Sequence, residues 1–332
     1  MDVLDKRRPG RAGRRWLRIG ATIAAAVALA GPSIAAASAD PAEEQPRHSF
    51  AEYQGIPISI FEYGPSADEA PTIVTTGGWP GDSSIFEPAA RKLAKKYHVV
   101  RYDRRGVGES GHELTEESNS LENLAGELGA VLDKTAPGRP VHTFNEAWGS
   151  YIAAEYAYRN PGRIASLSAI GAPSLDLQHY AMVESVDHPQ NLPGNLAYAT
   201  WFASMSMPVL PELYIQAGAT EAAFGALMAI MGEQPVHMTK EDLLASVSIY
   251  RANAPARLLN PEYDYLTVPV MQVFQSPLDN PDVIAGLERH TNNLWVTEIE
   301  GGHGNFGRTS WPLVSSELDK AIATTESGTP TN

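Results

Sequence analysis

Short apolar and β-branched runs alternate with amphipathic segments along most of the chain. Strand-like runs lie at 72–76, 98–103 and 141–146, and each continues into a turn that contains glycine. Between the second and third runs, residues 121–132 place leucine, alanine and valine at helical spacing. Because strands and helices alternate, the pattern predicts an α/β protein with a mainly parallel, doubly wound sheet.

The alternation breaks once, in a long segment near the middle of the chain. Residues 176–265 are rich in Met, Ala, Leu and aromatic residues and read as helices, whereas strand-like runs resume at 268–274 and 294–299. We therefore predict a core built from 50–175 and 266–325. The segment 176–265 is then a helical cap inserted into that core, and the last residues, 326–332, are predicted to be a disordered tail.

The N-terminus reads as an export signal. Arg14 and Arg15 form a twin arginine, a moderately apolar stretch follows at 19–30, and the small-residue site Ala37-Ser38-Ala39 precedes Asp40. An uncleaved membrane anchor is the alternative, but the apolar run is shorter than the roughly 20 residues that a span needs. We expect residues 1–39 to be a twin-arginine-type signal peptide, residues 40–49 a flexible leader, and the mature protein to be secreted without stable membrane association.

The charge and the cysteine content limit the classes of partner and of chemistry that the chain can have. The formal charge is −14, and the part after residue 39 holds 18 basic and 37 acidic side chains, a charge of −19. A nucleic-acid partner is therefore not expected. Cysteine is absent, which excludes disulfides, thiol nucleophiles and thiolate metal sites. We predict no metal and no organic cofactor, and a small-molecule substrate as partner; the oligomeric state stays open.

The stretch 141–157 has the form of a nucleophile elbow, a buried strand that turns sharply into a helix. Gly149 fits the small residue that this turn requires two positions after its tip, which assigns the tip to Ala147. Alanine has no atom that can attack a substrate. The fold signal is therefore strong, while the usual chemistry of such a turn is missing.

Four motifs together resemble the α/β-hydrolase superfamily over roughly residues 50–325. They are Gly78-Trp79-Pro80-Gly81, the loop 103–111, the elbow with Trp148-Gly149, and Gly301-Gly302-His303. The resemblance implies an α/β-hydrolase fold, a mainly parallel doubly wound sheet with a helical cap insertion.

In having tryptophan directly after the tip, the elbow resembles that of the epoxide hydrolase and haloalkane dehalogenase branch. The elbow of that branch is Gly-His-Asp-Trp-Gly, with aspartate as the nucleophile. The elbow of this chain is Asn145-Glu146-Ala147-Trp148-Gly149. Three of the five positions differ, including the nucleophile. A resemblance to the family therefore does not imply that this chain catalyses the family's reaction.

The resemblance also implies roles for residues around the elbow. The loop that contains Gly78 would supply the amide of Trp79 to an oxyanion hole, and the second amide would be that of Trp148. A plain Gly-Pro turn is the simpler interpretation of that loop. His303 would be the catalytic histidine and Asp279 the acid that orients it, with Asp282 or Asp176 as alternatives.

In the cap, the resemblance implies one further polar group. Tyr250 corresponds to a tyrosine that donates a hydrogen bond to an epoxide oxygen, and the second such tyrosine of epoxide hydrolases falls near Trp201. The pair would then be incomplete. The competing interpretation makes Tyr250 a buried residue whose hydroxyl is satisfied within the protein.

These observations leave three functions open. The favoured one is an enzyme that uses acid–base chemistry without a covalent intermediate, as a lyase, cyclase, isomerase or direct hydrolase, on a small and largely apolar substrate. The second is an inactive small-molecule-binding protein. The third is an ordinary hydrolase with a displaced nucleophile, Ser150 or Glu146. Retention of His303 and an acid-bearing loop favours the first, because a binding protein needs neither.

Overall fold

The computed structural model describes residues 45–112, 115–184, 192–231, 236–276, 287–291, 293–300 and 310–327. Eight strands in these residues form one sheet in the order β1-β2-β4-β3-β5-β6-β7-β8. The strands are Arg47–Tyr53 (β1), Ile56–Tyr63 (β2), Thr72–Thr75 (β3), His98–Tyr102 (β4), Val141–Glu146 (β5), Ile164–Ile170 (β6), Val270–Ser276 (β7) and Leu294–Glu300 (β8). Only β2 pairs antiparallel with its neighbours β1 and β4, and the other pairs are parallel. The predicted mainly parallel sheet is confirmed.

Helices connect the strands and cover both faces of the sheet. Their bounds are Glu87–Leu93 (α1), Leu121–Thr135 (α2), Trp148–Arg159 (α3), Leu175–Glu184 (α4), Leu192–Ser206 (α5), Leu210–Gln216 (α6), Ala219–Met231 (α7), Lys240–Ser246 (α8), Ser248–Leu259 (α9) and Trp311–Glu326 (α10). Apolar side chains of α2 and α3 belong to one buried cluster with the sheet, and those of α1 and α10 belong to another. This arrangement places helices on both faces, as a doubly wound sheet requires.

The three strands that lead toward the elbow region are buried along their whole length. Every residue of β3, β4 and β5 is buried. Strands that are covered on both faces consist of continuous apolar and β-branched residues. These three strands could therefore be predicted from the sequence. Their carboxyl ends lie side by side because they are parallel neighbours, so the loops that follow them meet at one edge of the sheet.

The N-terminal edge differs from the sequence prediction. β1 begins at Arg47, which pairs with Glu62 of β2. Residues 47–49 are therefore strand, and the predicted leader 40–49 is too long by three residues. The strand escaped detection because it lies at the edge of the sheet and exposes most of its side chains, so it lacks a clear apolar period.

Helices α4 to α9 follow β6 and precede β7, where the cap was predicted. Among the described residues between β6 and β7, we find helices and no strand of the sheet. Asn253 of α9 fastens this insertion to the core: its Oδ1 accepts a bond from Leu121 N at 2.6 Å, and its Nδ2 donates to Asn119 O at 2.9 Å. In the part of the chain that the structure describes, no helix combines the length and the apolar character needed to cross a bilayer.

Candidate active site

The turn between β5 and α3 has the backbone geometry of a nucleophile elbow. Ala147 lies at this turn with φ 46° and ψ −118°, a left-handed conformation that residues with a side chain rarely adopt. Gly149 allows the helix to approach the neighbouring strand, because a Cβ here would lie 2.6 Å from the carbonyl oxygen of Thr76. The strained residue of the elbow is therefore one that presents only a methyl group.

Polar groups beneath the elbow stabilise the turn. Asn145 Oδ1 accepts a hydrogen bond from Thr76 N at 2.7 Å, which ties β5 to the loop after β3. The hydroxyl of Ser150 is fully buried and donates to the carbonyl oxygen of Asn145 at 3.0 Å. The hydroxyl proton of Ser150 is therefore already engaged in a hydrogen bond to the backbone of the elbow. This geometry argues against the displaced-nucleophile role considered for Ser150.

A buried arginine holds the loop that carries Trp79. The guanidinium of Arg104 is fully buried and donates from Nε to Gly77 O at 3.0 Å. Its Nη2 donates to Gly78 O at 3.0 Å and to Gly81 O at 3.2 Å. Burial lowers the pKa of Arg104, and the negative charge of Glu127 opposes that shift. In the sequence, Arg104 stood out only as part of the loop 103–111, and its role as the support of residues 77–81 could not be predicted.

Glu146 brings a carboxylate to the side of the elbow. Its Oε2 accepts a hydrogen bond from the backbone N–H of Gly78 at 2.6 Å, and the residue is only 8% exposed. Gly78 itself packs against the turn, since a Cβ there would lie 2.6 Å from Glu146 Oε2 and 2.8 Å from the methyl group of Ala147. Glu146 is the last residue of β5 and precedes the strained tip. The turn is thus not shifted by one residue, as Glu146 would need in order to act as nucleophile.

An aromatic cluster lies next to the elbow. It consists of Trp79, Trp148, Trp201, Phe202, Phe224 and Tyr250. The first two rings belong to the core, and the other four belong to the helical insertion. Tyr250 is central: its ring contacts four of the other five, edge to face, with centroids 5.1–6.2 Å apart. The indole N–H of Trp79 is buried and has no hydrogen-bond partner among the described residues. The cluster is apolar and carries few polar atoms.

The Tyr250 hydroxyl is the most perturbed group of the cluster. It accepts a hydrogen bond from Trp201 Nε1 at 3.2 Å, and the Trp148 ring packs edge to face against the Tyr250 ring. Burial raises the pKa of Tyr250 to about 12, while the neighbouring side chains of Trp201 and Trp148 act in the opposite direction. Tyr250 is therefore a neutral proton donor across the physiological range. The structure brings Trp201 and Tyr250 together, with Trp201 as the donor and Tyr250 as the acceptor of one hydrogen bond.

Three of the predicted site residues lie outside the described residues: His303, Asp279 and Asp282. Asp176 is described and is engaged elsewhere. Its carboxylate accepts from Arg257 Nη1 at 2.9 Å and from Glu262 N at 2.6 Å. Arg257 also donates to Glu155, so Asp176 belongs to a buried network that joins the core to the insertion. This position disfavours Asp176 as the acid that orients a catalytic histidine.

The sheet order, the elbow and the loop supported by Arg104 define an α/β-hydrolase-fold protein. Residues 71–201 match the family model described as alpha/beta hydrolase fold. The described residues therefore have the predicted α/β-hydrolase fold, and the match over residues 71–201 agrees with the resemblance drawn from the motifs.

Among similar curated proteins is "Probable oxidoreductase EphD" of Mycobacterium tuberculosis, 27% identical over 296 residues. The matched region is 82% of this chain and 49% of EphD, so the chain spans about half the length of that relative.

Two solved structures illustrate the similarity in shape. One is an epoxide hydrolase structure from metagenomes of hot environments, with TM-score 0.65, 16% identity, and coverage of 84% of this chain and 99% of that chain. The other is haloalkane dehalogenase DbeA-M1, a loop variant from Bradyrhizobium elkanii, with TM-score 0.65, 19% identity, and coverage of 87% and 100%. At these identities the similarity establishes the fold and no more.

Among the described residues, no group of three or more His, Asp or Glu side chains is arranged to hold a metal ion. The chemistry available in the described part of the site is that of a neutral phenol, a carboxylate, indole N–H groups and backbone amides.

Proposed function

We propose that this chain is an exported enzyme that performs acid–base chemistry, without a covalent intermediate, on a small and largely apolar substrate. The observation that carries the proposal is the strained elbow with Ala147 at its tip. Covalent catalysis needs a nucleophile there, and the hydroxyl of Ser150 is bonded to the backbone beneath the turn.

The proposed proton donor is Tyr250, whose neutral hydroxyl lies buried in the aromatic cluster. The proposed general base is His303, with Asp279 orienting its imidazole. The backbone amides of Trp79 and Trp148 would stabilise negative charge that develops on the substrate. The methyl group of Ala147 would leave the position of the missing nucleophile to a water molecule or to part of the substrate. Among the reactions considered, lyase, cyclase, isomerase and direct hydrolase chemistry fit this set of groups.

The substrate class follows from the surroundings of the elbow. The aromatic cluster presents six rings, and its polar atoms are few. Such a lining suits an apolar molecule with one or two polar atoms. The names of the two similar structures specify epoxides and haloalkanes, which are small and apolar, and this supports the same class.

The proposal is tested with the mature chain, from Asp40 onward, and a panel of small epoxides, lactones and esters. We expect turnover of at least one member, a loss of about two to four orders of magnitude in kcat for His303→Ala, and no covalent adduct in quenched mass spectra. Wild type and His303→Ala that bind a panel member equally, with turnover by neither, would instead identify a binding protein.

A further inference from the structure

Two pairs of histidine and aspartate fasten the helical insertion to the core, and the two pairs are reversed with respect to each other. In one pair, Nδ1 of His237 in the insertion lies 2.8 Å from Oδ2 of Asp82 in the core. In the other pair, Nε2 of His112 in the core lies 2.7 Å from Oδ1 of Asp242 in α8. Each side of the boundary therefore supplies one imidazole and one carboxylate.

The pair of Asp82 lies directly beside the loop 77–81. Gly81 precedes Asp82 and packs against the insertion, because a Cβ at Gly81 would collide with the side chain of Val236 and lie 3.5 Å from His237 O. The insertion is thus seated on the end of this loop, and the bond between His237 and Asp82 holds it there.

The carboxylates of the two pairs are nearly buried, whereas the imidazoles reach solvent. The side chains of Asp82 and Asp242 are 10% and 7% exposed, and those of His237 and His112 are 63% and 26% exposed. A carboxylate removed from water is stabilised by a positively charged partner. Imidazole is the side chain that ordinarily changes its charge between about pH 5 and 8. Protonation of the imidazoles therefore decides whether each carboxylate faces a positive charge.

The groove in which both pairs lie is lined mainly by acidic groups. Its volume is about 770 Å³. Two arginines line it and are bonded to other side chains: Arg91 Nη2 donates to Glu87 Oε1 at 2.6 Å, and Arg101 Nη1 donates to Ser83 Oγ at 2.9 Å. The positive charge opposite the two paired carboxylates is thus supplied by the histidines when these are protonated. The acidic residues that line the groove are Asp82, Glu87, Asp103, Glu109, Glu241 and Asp242.

We propose that His112 and His237 form a proton-operated latch that holds the insertion on the loop 77–81. When both imidazoles are protonated, each pair is an ion pair with a charge-assisted hydrogen bond. A neutral imidazole can keep the hydrogen bond by carrying its proton on the bonded nitrogen, but it loses the positive charge. The latch therefore loosens as pH rises from about 5 to 8, and α8 opens more often. This inference is independent of the proposed function, because it concerns the seating of the insertion and not turnover.

Hydrogen exchange of backbone amides in and after α8 measures the latch on the mature chain. The amide of Leu243 donates to Thr239 O at 3.0 Å, and the amide of Val247 donates to Leu243 O at 3.0 Å. Protection factors of these amides are compared after correction for intrinsic exchange at each pH. Since a part-exposed ion pair contributes a factor of about two to five, two pairs should make protection about four to twenty times higher at about pH 5.5 than at about pH 8. Equal protection at both pH values overturns the latch.

The double variant with His112→Gln and His237→Gln assigns the pH dependence to these two groups. Glutamine keeps an N–H donor for each carboxylate but does not titrate in this range. We expect the protection of α8 in this variant to be independent of pH and close to that of wild type at about pH 8. Each single variant should remove only part of the pH dependence. A pH dependence that survives in the double variant overturns the latch.

His48→Gln is the matched control. His48 Nε2 lies 2.9 Å from Ser59 Oγ and 3.7 Å from Glu109 Oε2, and all three residues belong to the core. This variant therefore removes an imidazole near the same groove without touching the insertion, and the pH dependence should match that of wild type. Asp103, whose pKa is raised by burial, is present in all of these proteins. Loss of the pH dependence in His48→Gln would overturn the assignment to His112 and His237.

A measurement on the wild type tests the latch even if the double variant does not fold. Raising the salt concentration from about 0.05 M to about 1 M screens ion pairs. It should therefore lower the protection of the α8 amides at about pH 5.5, where both pairs are charged, and change it little at about pH 8. An equal effect of salt at the two pH values overturns the latch.

Discussion

The backbone N–H of Gly78 donates to Oε2 of Glu146 at 2.6 Å, and this bond joins the loop after β3 to the last residue of β5. The loop is held from its other side by Arg104, which donates to Gly77 and Gly78 carbonyl oxygens. Two charged side chains thus fix the main chain of the loop in opposite ways, one as acceptor and one as donor. The bonds define where the Trp79 amide lies relative to the elbow.

We expect Glu146→Ala to lower the free energy of unfolding by about 1–3 kcal/mol, because the Gly78 N–H loses a buried acceptor. Glu146→Gln keeps an oxygen that can accept the same bond and should cost clearly less. Urea unfolding followed by tryptophan fluorescence measures both variants. Equal losses for the two would mean that the bond to Gly78 is not the source of the stabilisation.

Sequence alone could locate the elbow but not the partner of Glu146. The tip follows from local pattern, because the strand, the small residue Gly149 and the helix are contiguous. The bond from Gly78 to Glu146 crosses 68 positions of the chain and depends on the path of the loop. The same limit applies to Trp201 and Tyr250, which are 49 positions apart. Local periodicity gives no information on such pairs.

A second set of variants separates catalytic from structural aspartates. Asp176→Asn should lower the free energy of unfolding by about 3 kcal/mol, because it breaks a buried ion pair with Arg257. Asp279→Asn should leave stability nearly unchanged and lower kcat by less than His303→Ala does, because in the proposed mechanism Asp279 only orients the imidazole of His303. Thermal unfolding and initial rates are measured on both. A lower kcat in Asp176→Asn at full stability would reverse the two assignments.

Stability should depend on pH through Glu62. His98 Nε2 and Glu62 Oε2 lie 2.9 Å apart between β2 and β4, and the hydrogen bond to His98 lowers the pKa of Glu62 below its ordinary value of 4.5. A lowered folded-state pKa stabilises the fold above that ordinary value, and the contribution is lost as pH falls through the folded-state pKa.

Glu62→Gln should therefore flatten the decrease in unfolding free energy below about pH 4.5, relative to wild type. The difference between the two proteins isolates this pair, since other buried acids such as Glu155 are common to both. Urea unfolding at a series of acidic pH values gives the comparison. Parallel curves for the two proteins would exclude a contribution from this pair.

Export is tested at the N-terminus. We expect secreted protein to begin at Asp40, because the small-residue site ends at Ala39. Replacing Arg14 and Arg15 together by lysine should block secretion, since the twin arginine is the recognised feature of the signal. N-terminal sequencing of culture supernatant and immunoblots of cell fractions measure both effects. Secretion that survives the double substitution would reject the twin-arginine interpretation.

Ala147 gives the sharpest test of the chemistry. Ala147→Asp places a carboxylate where the elbow directs its side chain, and aspartate tolerates a positive φ better than most residues. In a non-covalent enzyme it should obstruct the volume beside the Trp79 and Trp148 amides and lower the native activity. It should also permit an ester adduct with an epoxide, detected at residue 147 by peptide mass spectrometry. Ala147→Gly is the matched control, because it relieves the strained conformation without filling the site and cannot form the adduct. Higher native activity in Ala147→Asp than in wild type would mean that a carboxylate at this position does not obstruct the site, which would contradict the proposed non-covalent mechanism.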